Sequence, residues 1–286
     1  MGTLLLFIDG IGIGRDDPER NPFAVPGIVH FGPLARRAPA DGAAFRTLDA
    51  TLGVPGLPQS ATGQTTLFTG TNAAQAMGRH HPGLPGPTLV SILREESLFR
   101  KLVGAGARPT FANVFPRRYL EARRRFFGAT THMVLASGVP LRLLEEDGAT
   151  SLSHDYTGEW MGKRGVAVPR RTALEAASVL RGLVEEFDYV LFEYFLTDLA
   201  GHRGGREERF EQAVRVESLL ARLLDTVELS RHRVVVFSDH GNLEEADHDR
   251  HTLNRVPLLA WGYRAVELVG AVDSMEALTP ALVSGA

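Results

Sequence analysis

The chain has 286 residues, enough for a complete core and close to the length at which a single core divides or gains a cap. Its 31 basic and 34 acidic residues leave a net charge of -3, so no global field draws it to nucleic acid or an anionic membrane, and phosphate recognition has to be local. Cysteine is absent, which excludes disulfides, thiolate catalysis and cysteine-ligated zinc and leaves His, Asp and Glu as candidate metal ligands.

The opening apolar run 4–8 has no basic flank, is too short for a signal-peptide core and ends on Asp9, so it predicts a buried strand over 3–8. The segment 53–86 is rich in Gly, Pro, Ser and Thr but encloses a helix over 60–69. An amphipathic helix is expected over 93–103 and a strand over 110–114. The least patterned stretch, 116–168, holds an arginine cluster (Arg117, Arg118, Arg123, Arg124, Arg125), a strand over 132–136 and a turn-prone part at 154–163, and reads as a small cap. A helix follows over 172–187, with Leu174, Ala177, Leu180 and Val184 on one face, then a strand over 189–194. A helix over 207–227 and strands over 233–237 and 257–261 complete the chain. This alternation predicts an α/β fold, a three-layer αβα sandwich with a mainly parallel sheet, in one domain spanning 1–286. No apolar run approaches the ~20 residues of a membrane helix, so a cytoplasmic protein is expected.

In such a sheet ligands bind beyond the carboxyl ends of the strands. Asp9 ends the first strand, Asp198 follows the 189–194 strand, and Asp239-His240 ends the 233–237 strand. Asp198 and His202 are four apart, which on a helical turn sets a carboxylate beside an imidazole. His248 and His251 fall in a polar cluster just before the last strand. Three aspartates and at least three histidines with no cysteine suit two divalent ions, Zn²⁺ or Mn²⁺. Such a pair clamps the attacking and leaving oxygens of a displacement at phosphorus. With no thiol available the nucleophile is an oxygen; Ser60, just before a helix whose free N–H groups would cradle an anion, is favoured, and Thr62 is second. Gly10, Gly12 and Gly14 do not make a dinucleotide fingerprint, because Arg15 stands where the third glycine is needed. Candidates to contact substrate are Gln64, Arg79, His132 and Asp155, with His80, His81, Asn113, Tyr156 and Glu159 as further polar residues.

Five motifs together resemble the alkaline phosphatase superfamily, and within it the cofactor-independent phosphoglycerate mutases. Phe7-Ile8-Asp9-Gly10 is similar to the family's first metal-binding strand, and Ser60 stands nine residues before Thr69-Gly70 as the nucleophile does in several branches. Asp198-Leu199-Ala200-Gly201-His202 resembles the mutases' Asp-x-x-Gly-His. Ser238-Asp239-His240-Gly241-Asn242 and His251-Thr252-Leu253-Asn254-Arg255-Val256-Pro257 are similar to their remaining two elements. The resemblance implies an alkaline phosphatase-like fold in which Asp198, His202 and His251 hold one metal while Asp9, Asp239, His240 and the Ser60 oxygen hold the other. His248 is then left as a supporting or solvated residue. Two departures stand out. There is little room for the mutases' large inserted domain, and Gln64 occupies the place, four residues after the nucleophile, where mutases have His and sulfatases Arg.

The expected function is metal-dependent hydrolysis of a phosphate mono- or diester through a phosphoserine, acting on a small phosphorylated substrate, as a monomer or homodimer, with no nucleic-acid or membrane partner. The alternatives are a phosphomutase of the phosphoglycerate mutase type and a catalytically inactive metal-binding homologue.

Overall fold

The computed structural model describes residues 1–40, 42–122 and 126–285; Arg123, Arg124 and Arg125 of the arginine cluster lie outside them. Its strands are β1 (Thr3–Ile8), β2 (Ala44–Leu48), β3 (Pro109–Phe111), β4 (Val114–Phe115), β5 (Arg142–Leu143), β6 (Tyr189–Tyr194), β7 (Arg233–Phe237) and β8 (Val256–Gly262). β1 lies inside the sheet because both of its faces are apolar. Leu4, Leu6 and Ile8 enter one hydrophobic core, and Leu5 and Phe7 enter the other. β6 and β7 pair with β1 in parallel, and β3 extends the parallel set beyond β6.

The six-stranded order is β2-β8-β7-β1-β6-β3, with β8 antiparallel to β7 and β2 antiparallel to β8. Helices Ala173–Glu186 and Arg206–Thr226 cover one face. Helices Ser60–Thr69, Leu98–Gly104, Ala129–Ser137 and Leu278–Ser284 contribute to the core on the other, which gives the αβα sandwich. No helix among the described residues is long and apolar enough to cross a membrane.

Some helices start at a side-chain cap. Thr172 and Glu175 form a reciprocal capping box ahead of Ala173–Glu186. Helix Ser60–Thr69 is held by aromatic packing: the Phe68 ring sits 5.3 Å from Phe7 and 6.2 Å from Phe237, so β1 and β7 are pinned to the helix that begins at Ser60. Such pairs contribute about 0.5–1.5 kcal/mol each beyond their buried area.

Four expectations need correction. The 132–136 strand is instead part of helix Ala129–Ser137, where Ala129, Thr130, Met133 and Val134 are buried at helical spacing and Gly138, at φ 78°, ends the helix. A short apolar run fits a strand or a buried helix equally well. This helix also means that the 116–168 stretch is partly core rather than wholly cap. The 93–103 helix is two, Pro87–Glu96 and Leu98–Gly104, divided at Ser97, whose hydroxyl donates to the Met133 carbonyl at 2.8 Å and accepts from the Arg100 N–H at 3.3 Å. The 110–114 strand is broken into β3 and β4 around Asn113. Edge strand β2 was not anticipated, because Ala44–Leu48 is mostly half-buried and carries no alternation.

Candidate metal centre

The carboxyl ends of β1, β6 and β7 open on one crevice. Asp9 follows β1 directly, and Asp239 and His240 follow β7. Asp198 and His202 ride on helix Leu196–Arg203 just after β6, His251 approaches from the loop before β8, and Ser60 begins its helix from below. Imidazole Nε2 of His240 lies 3.3 Å from Asp9 Oδ1, 3.6 Å from Asp239 Oδ2 and 2.9 Å from Ser60 Oγ. His251 Nε2 lies 3.5 Å from Asp198 Oδ1 and 2.8 Å from His202 Nε2, and His202 Nε2 is also 3.5 Å from Asp198 Oδ1. The structure therefore brings Asp9, Ser60, Asp198, His202, Asp239, His240 and His251 together. Two subsets have ligand atoms all within 4.8 Å of one another, Asp9-Asp239-His240 and Asp198-His240-His251, with His240 common to both.

The donor set fits divalent cations on three observations. First, the ring nitrogens facing the centre are held free for coordination: Nδ1 of His202 lies 2.6 Å from the Asp249 carbonyl and Nδ1 of His251 lies 2.7 Å from the Pro58 carbonyl. An N–H donated there leaves each Nε2 with its lone pair turned inward. Second, Asp9 Oδ1, 3.3 Å from His240 Nε2, is buried without a hydrogen-bond partner. Third, the charges are unbalanced. Burial and then the neighbouring charges of Asp239 and Asp198 hold the Asp9 carboxyl well above its ordinary range. Burial lowers His240, against the pull of Asp239. For Asp198 burial is outweighed by hydrogen bonds from His251 and Asn242 and by the nearby imidazoles, so its carboxyl is held below the ordinary range. Burial also opposes charge on His251, but its bond to Asp198 prevails and raises it. Carboxylates this close and this buried repel one another unless cations share the space.

Two arrangements lock the loops. The Glu244 carboxylate, fully buried, accepts from the N–H of Gly12 at 2.9 Å and of Asn242 at 2.8 Å, from Thr252 Oγ1 at 2.6 Å and from Asn254 Nδ2 at 3.0 Å. One side chain thereby ties together the loops after β1 and β7 and the loop before β8. Asn242 Nδ2 in turn donates to Asp198 Oδ1 at 2.7 Å. That contact depends on Gly201, since a Cβ there would fall 2.5 Å from Asn242 Cγ. Gln64, at the place of the mutases' histidine, spans the centre by donating from Nε2 to Asp9 Oδ2 and Asp239 Oδ2, each at 3.0 Å.

A cavity of about 1150 Å³ extends from Asp9, Ser60 and Asp198 toward the 116–168 stretch. Gln64 lines it. The other three substrate candidates do not, and each has a local role or none. Arg79 is exposed after helix Ala73–Met77. His132 lines a separate hollow of about 360 Å³ with Arg94 and Arg100. Asp155 is fully buried and takes bonds from Ser153 Oγ at 2.8 Å and the Trp160 N–H at 2.7 Å, which folds its own loop. Sequence reasoning missed Glu193, whose carboxyl lines the cavity from the end of β6; its signal was a lone acid inside an otherwise apolar strand.

Comparison with known proteins bears out the resemblance. The model of the Metalloenzyme superfamily matches residues 156–279, and that superfamily implies divalent-metal binding. Among curated proteins, the 2,3-bisphosphoglycerate-independent phosphoglycerate mutase of Methylobacillus flagellatus is 25% identical over 125 residues, covering 41% of this chain and 24% of the relative. The enzyme of the same name from Wolinella succinogenes is 31% identical over 86 residues, covering 30% of this chain and 18% of the relative. The matched part thus spans about a quarter or less of these relatives. Among solved structures, the cold-active alkaline phosphatase of a psychrophilic Shewanella aligns with a TM-score of 0.58 at 10% identity, covering 99% of both chains. That of the Antarctic bacterium TAB5 aligns at 0.55 and 11% identity, covering 99% of this chain and 97% of its own. The fold is alkaline phosphatase-like.

Proposed function

We propose that this metalloenzyme-like chain transfers a phosphoryl group by way of Ser60, hydrolysing a phosphate mono- or diester on a site for two divalent ions, Zn²⁺ or Mn²⁺. The observation that carries the reading is the position of the Ser60 hydroxyl, 2.9 Å from His240 Nε2 and at the N-terminus of a ten-residue helix. Asp9, Asp239 and His240 would hold one ion beside Ser60, and Asp198, His202 and His251 the other. When bound, the ions supply Lewis-acid stabilisation of the charge that develops on the attacking and leaving oxygens.

The chain's own groups do the rest. Ser60 Oγ gives up its proton and forms a bond to phosphorus in line with the ester oxygen, which departs with its bonding pair and takes up a proton as the alcohol. The free N–H groups of the first helical turn would favour negative charge on the phosphoryl oxygens. Water then displaces the serine oxygen, which recovers a proton from that water, and phosphate leaves from a monoester or a phosphomonoester from a diester. Gln64, reaching both carboxylates, keeps Asp9 and Asp239 oriented.

A mutase, in which the phosphoryl group returns to a second hydroxyl of the same substrate, is the competing reading, favoured by the names of the curated relatives. One assay tests both. Ser60→Ala should keep the ions through the Asp and His ligands and lose turnover by at least about 10³-fold, as loss of a covalent nucleophile does. Hydrolysis by that variant at near-parental rate would refute the serine role. An isomerised ester in place of free phosphate would favour the mutase.

A further inference from the structure

His132 has no place at the metal centre and belongs instead to the hollow of about 360 Å³ that it lines with Arg94, Arg100, Phe127, Leu135 and Ala136. Three helices build it. His132, Leu135 and Ala136 fall at i, i+3 and i+4 of Ala129–Ser137 and so share one face. Arg94 lies in the last turn of Pro87–Glu96 and Arg100 in the first turn of Leu98–Gly104, on either side of the break at Ser97. The Ser97 hydroxyl donates to the Met133 carbonyl at 2.8 Å, which ties that break to the helix bearing His132. Arg100 is held further by its own Nη1, which donates to the Arg94 carbonyl at 3.0 Å.

The hollow carries positive charge and no counter-charge. The two acids that follow Arg94 are engaged elsewhere: Glu95 accepts from Ser91 Oγ at 3.0 Å, and Glu96 pairs with Lys101 at 2.8 Å. Among the described residues neither Arg94 nor Arg100 meets a carboxylate, and no acid lines the hollow. Burial and then the charge of Arg94 hold the His132 ring below its ordinary 6.5, so near neutral pH it is an uncharged ring, edge-on to Phe127 with centroids 6.0 Å apart. Guanidinium groups are planar forks of N–H donors that match the oxygens of carboxylate and phosphate. The volume falls within the ~300–1,000 Å³ of small-molecule pockets, which leaves room beyond the anion itself. Leu135, 48% exposed, gives that room an apolar wall.

We propose that this hollow binds a small organic oxyanion, a carboxylate or phosphate borne on a flat apolar body, with the anion at Arg94 and Arg100 and the body against His132 and Leu135. No residue lines both this hollow and the cavity at the metal centre, so the site is a second one, and the inference does not depend on the phosphoester reading.

The test is NMR of the full chain with Zn²⁺ present, at constant ionic strength, following the ring C–H signal of His132, which His132→Gln identifies by its loss. Benzoate should shift that signal saturably, with a Kd of ~1 mM or tighter. Benzamide, equal in shape but uncharged, and acetate, charged but without the ring, should each bind about tenfold or more weakly. Arg94→Gln and Arg100→Gln should each weaken benzoate about fivefold or more. Phenylphosphonate, titrated in the same way, distinguishes the two oxyanions: tighter binding than benzoate assigns the site to phosphate, weaker binding to carboxylate. Ligand binding at the metal centre does not mimic the result, because both the signal and the variants belong to the hollow. Shifts with benzoate and phenylphosphonate that never saturate, affinity for benzoate equal to that for benzamide or acetate, or binding unchanged in both arginine variants overturns the inference.

Discussion

A single hydrogen atom on Gly201 protects the orientation of Asp198. Helix interiors ordinarily gain about 1 kcal/mol when Gly becomes Ala, so Gly201→Ala should stabilise the isolated helix. Here the new Cβ would meet Asn242 at 2.5 Å and displace the amide that holds Asp198. We expect metal affinity to fall about 10- to 100-fold, the usual consequence of losing a group that orients a ligand, as read by metal titration calorimetry. Unchanged affinity would mean that Asn242 does not orient Asp198. At this scale much of the centre was legible in the sequence. Asp9, Asp239 and His240 sit where apolar runs end, and chemistry at such points is visible because a buried strand leaves no other reason for a charge. Glu193 was less legible: a lone acid in an otherwise apolar strand is a weak signal, since a carboxylate within a strand ordinarily marks a solvent face, and only the fold shows both faces to be covered.

Helix Arg206–Thr226 carries a carboxylate with an equally particular task. Glu217 accepts from the N–H groups of Val29 at 3.1 Å, His30 at 3.0 Å and Phe31 at 3.1 Å and binds the His30 ring at 2.7 Å, so one helical residue gathers the turn at 29–31. The bond to Glu217 raises His30 above its ordinary 6.5, against burial. Burial opposes charge on Glu217, but its bonds to His30 and the turn prevail and lower it below 4.5. The signs fix a window. The histidine's contribution is complete below 6.5 and fades as pH rises through its folded value, while the glutamate's is complete above 4.5 and fades as pH falls through its own. Glu217→Gln should cost about 1–3 kcal/mol in urea unfolding. The difference from the parent should be largest between about pH 4.5 and 6.5 and shrink outside it; a pH-independent difference would assign the effect to packing. Elements with long amphipathic patterns, such as this helix and Ala173–Glu186, were readable from spacing alone. Helix Ala129–Ser137 was not, because its buried face carries Thr130 and Thr131 beside Met133 and Val134, so no apolar stripe marks it and its identity is set by the elements it packs beside.

Across the whole molecule, ligands from three strand ends and one loop converge over sequence separations of up to 242 residues, from Asp9 to His251. Ions bound there join segments that would part on unfolding, so metal should act on global stability. At about 100 times its dissociation constant an ion adds about 2.7 kcal/mol, equivalent to a rise in melting temperature of roughly 5 °C or more. Chelator should remove that increment and Zn²⁺ or Mn²⁺ restore it; a melting temperature indifferent to both would argue against a metal centre. The separation of duties along the chain has a wider consequence. The clustered Asp and His side chains come from the carboxyl side of the sheet and Ser60 from a helix start, whereas Phe115, Thr130, His154 and Trp160 all come from the crossover between β3 and β6. A substitution in that one excursion reshapes the cavity without touching any of the clustered Asp and His side chains, so a change in what fits need not be a change in what the centre holds.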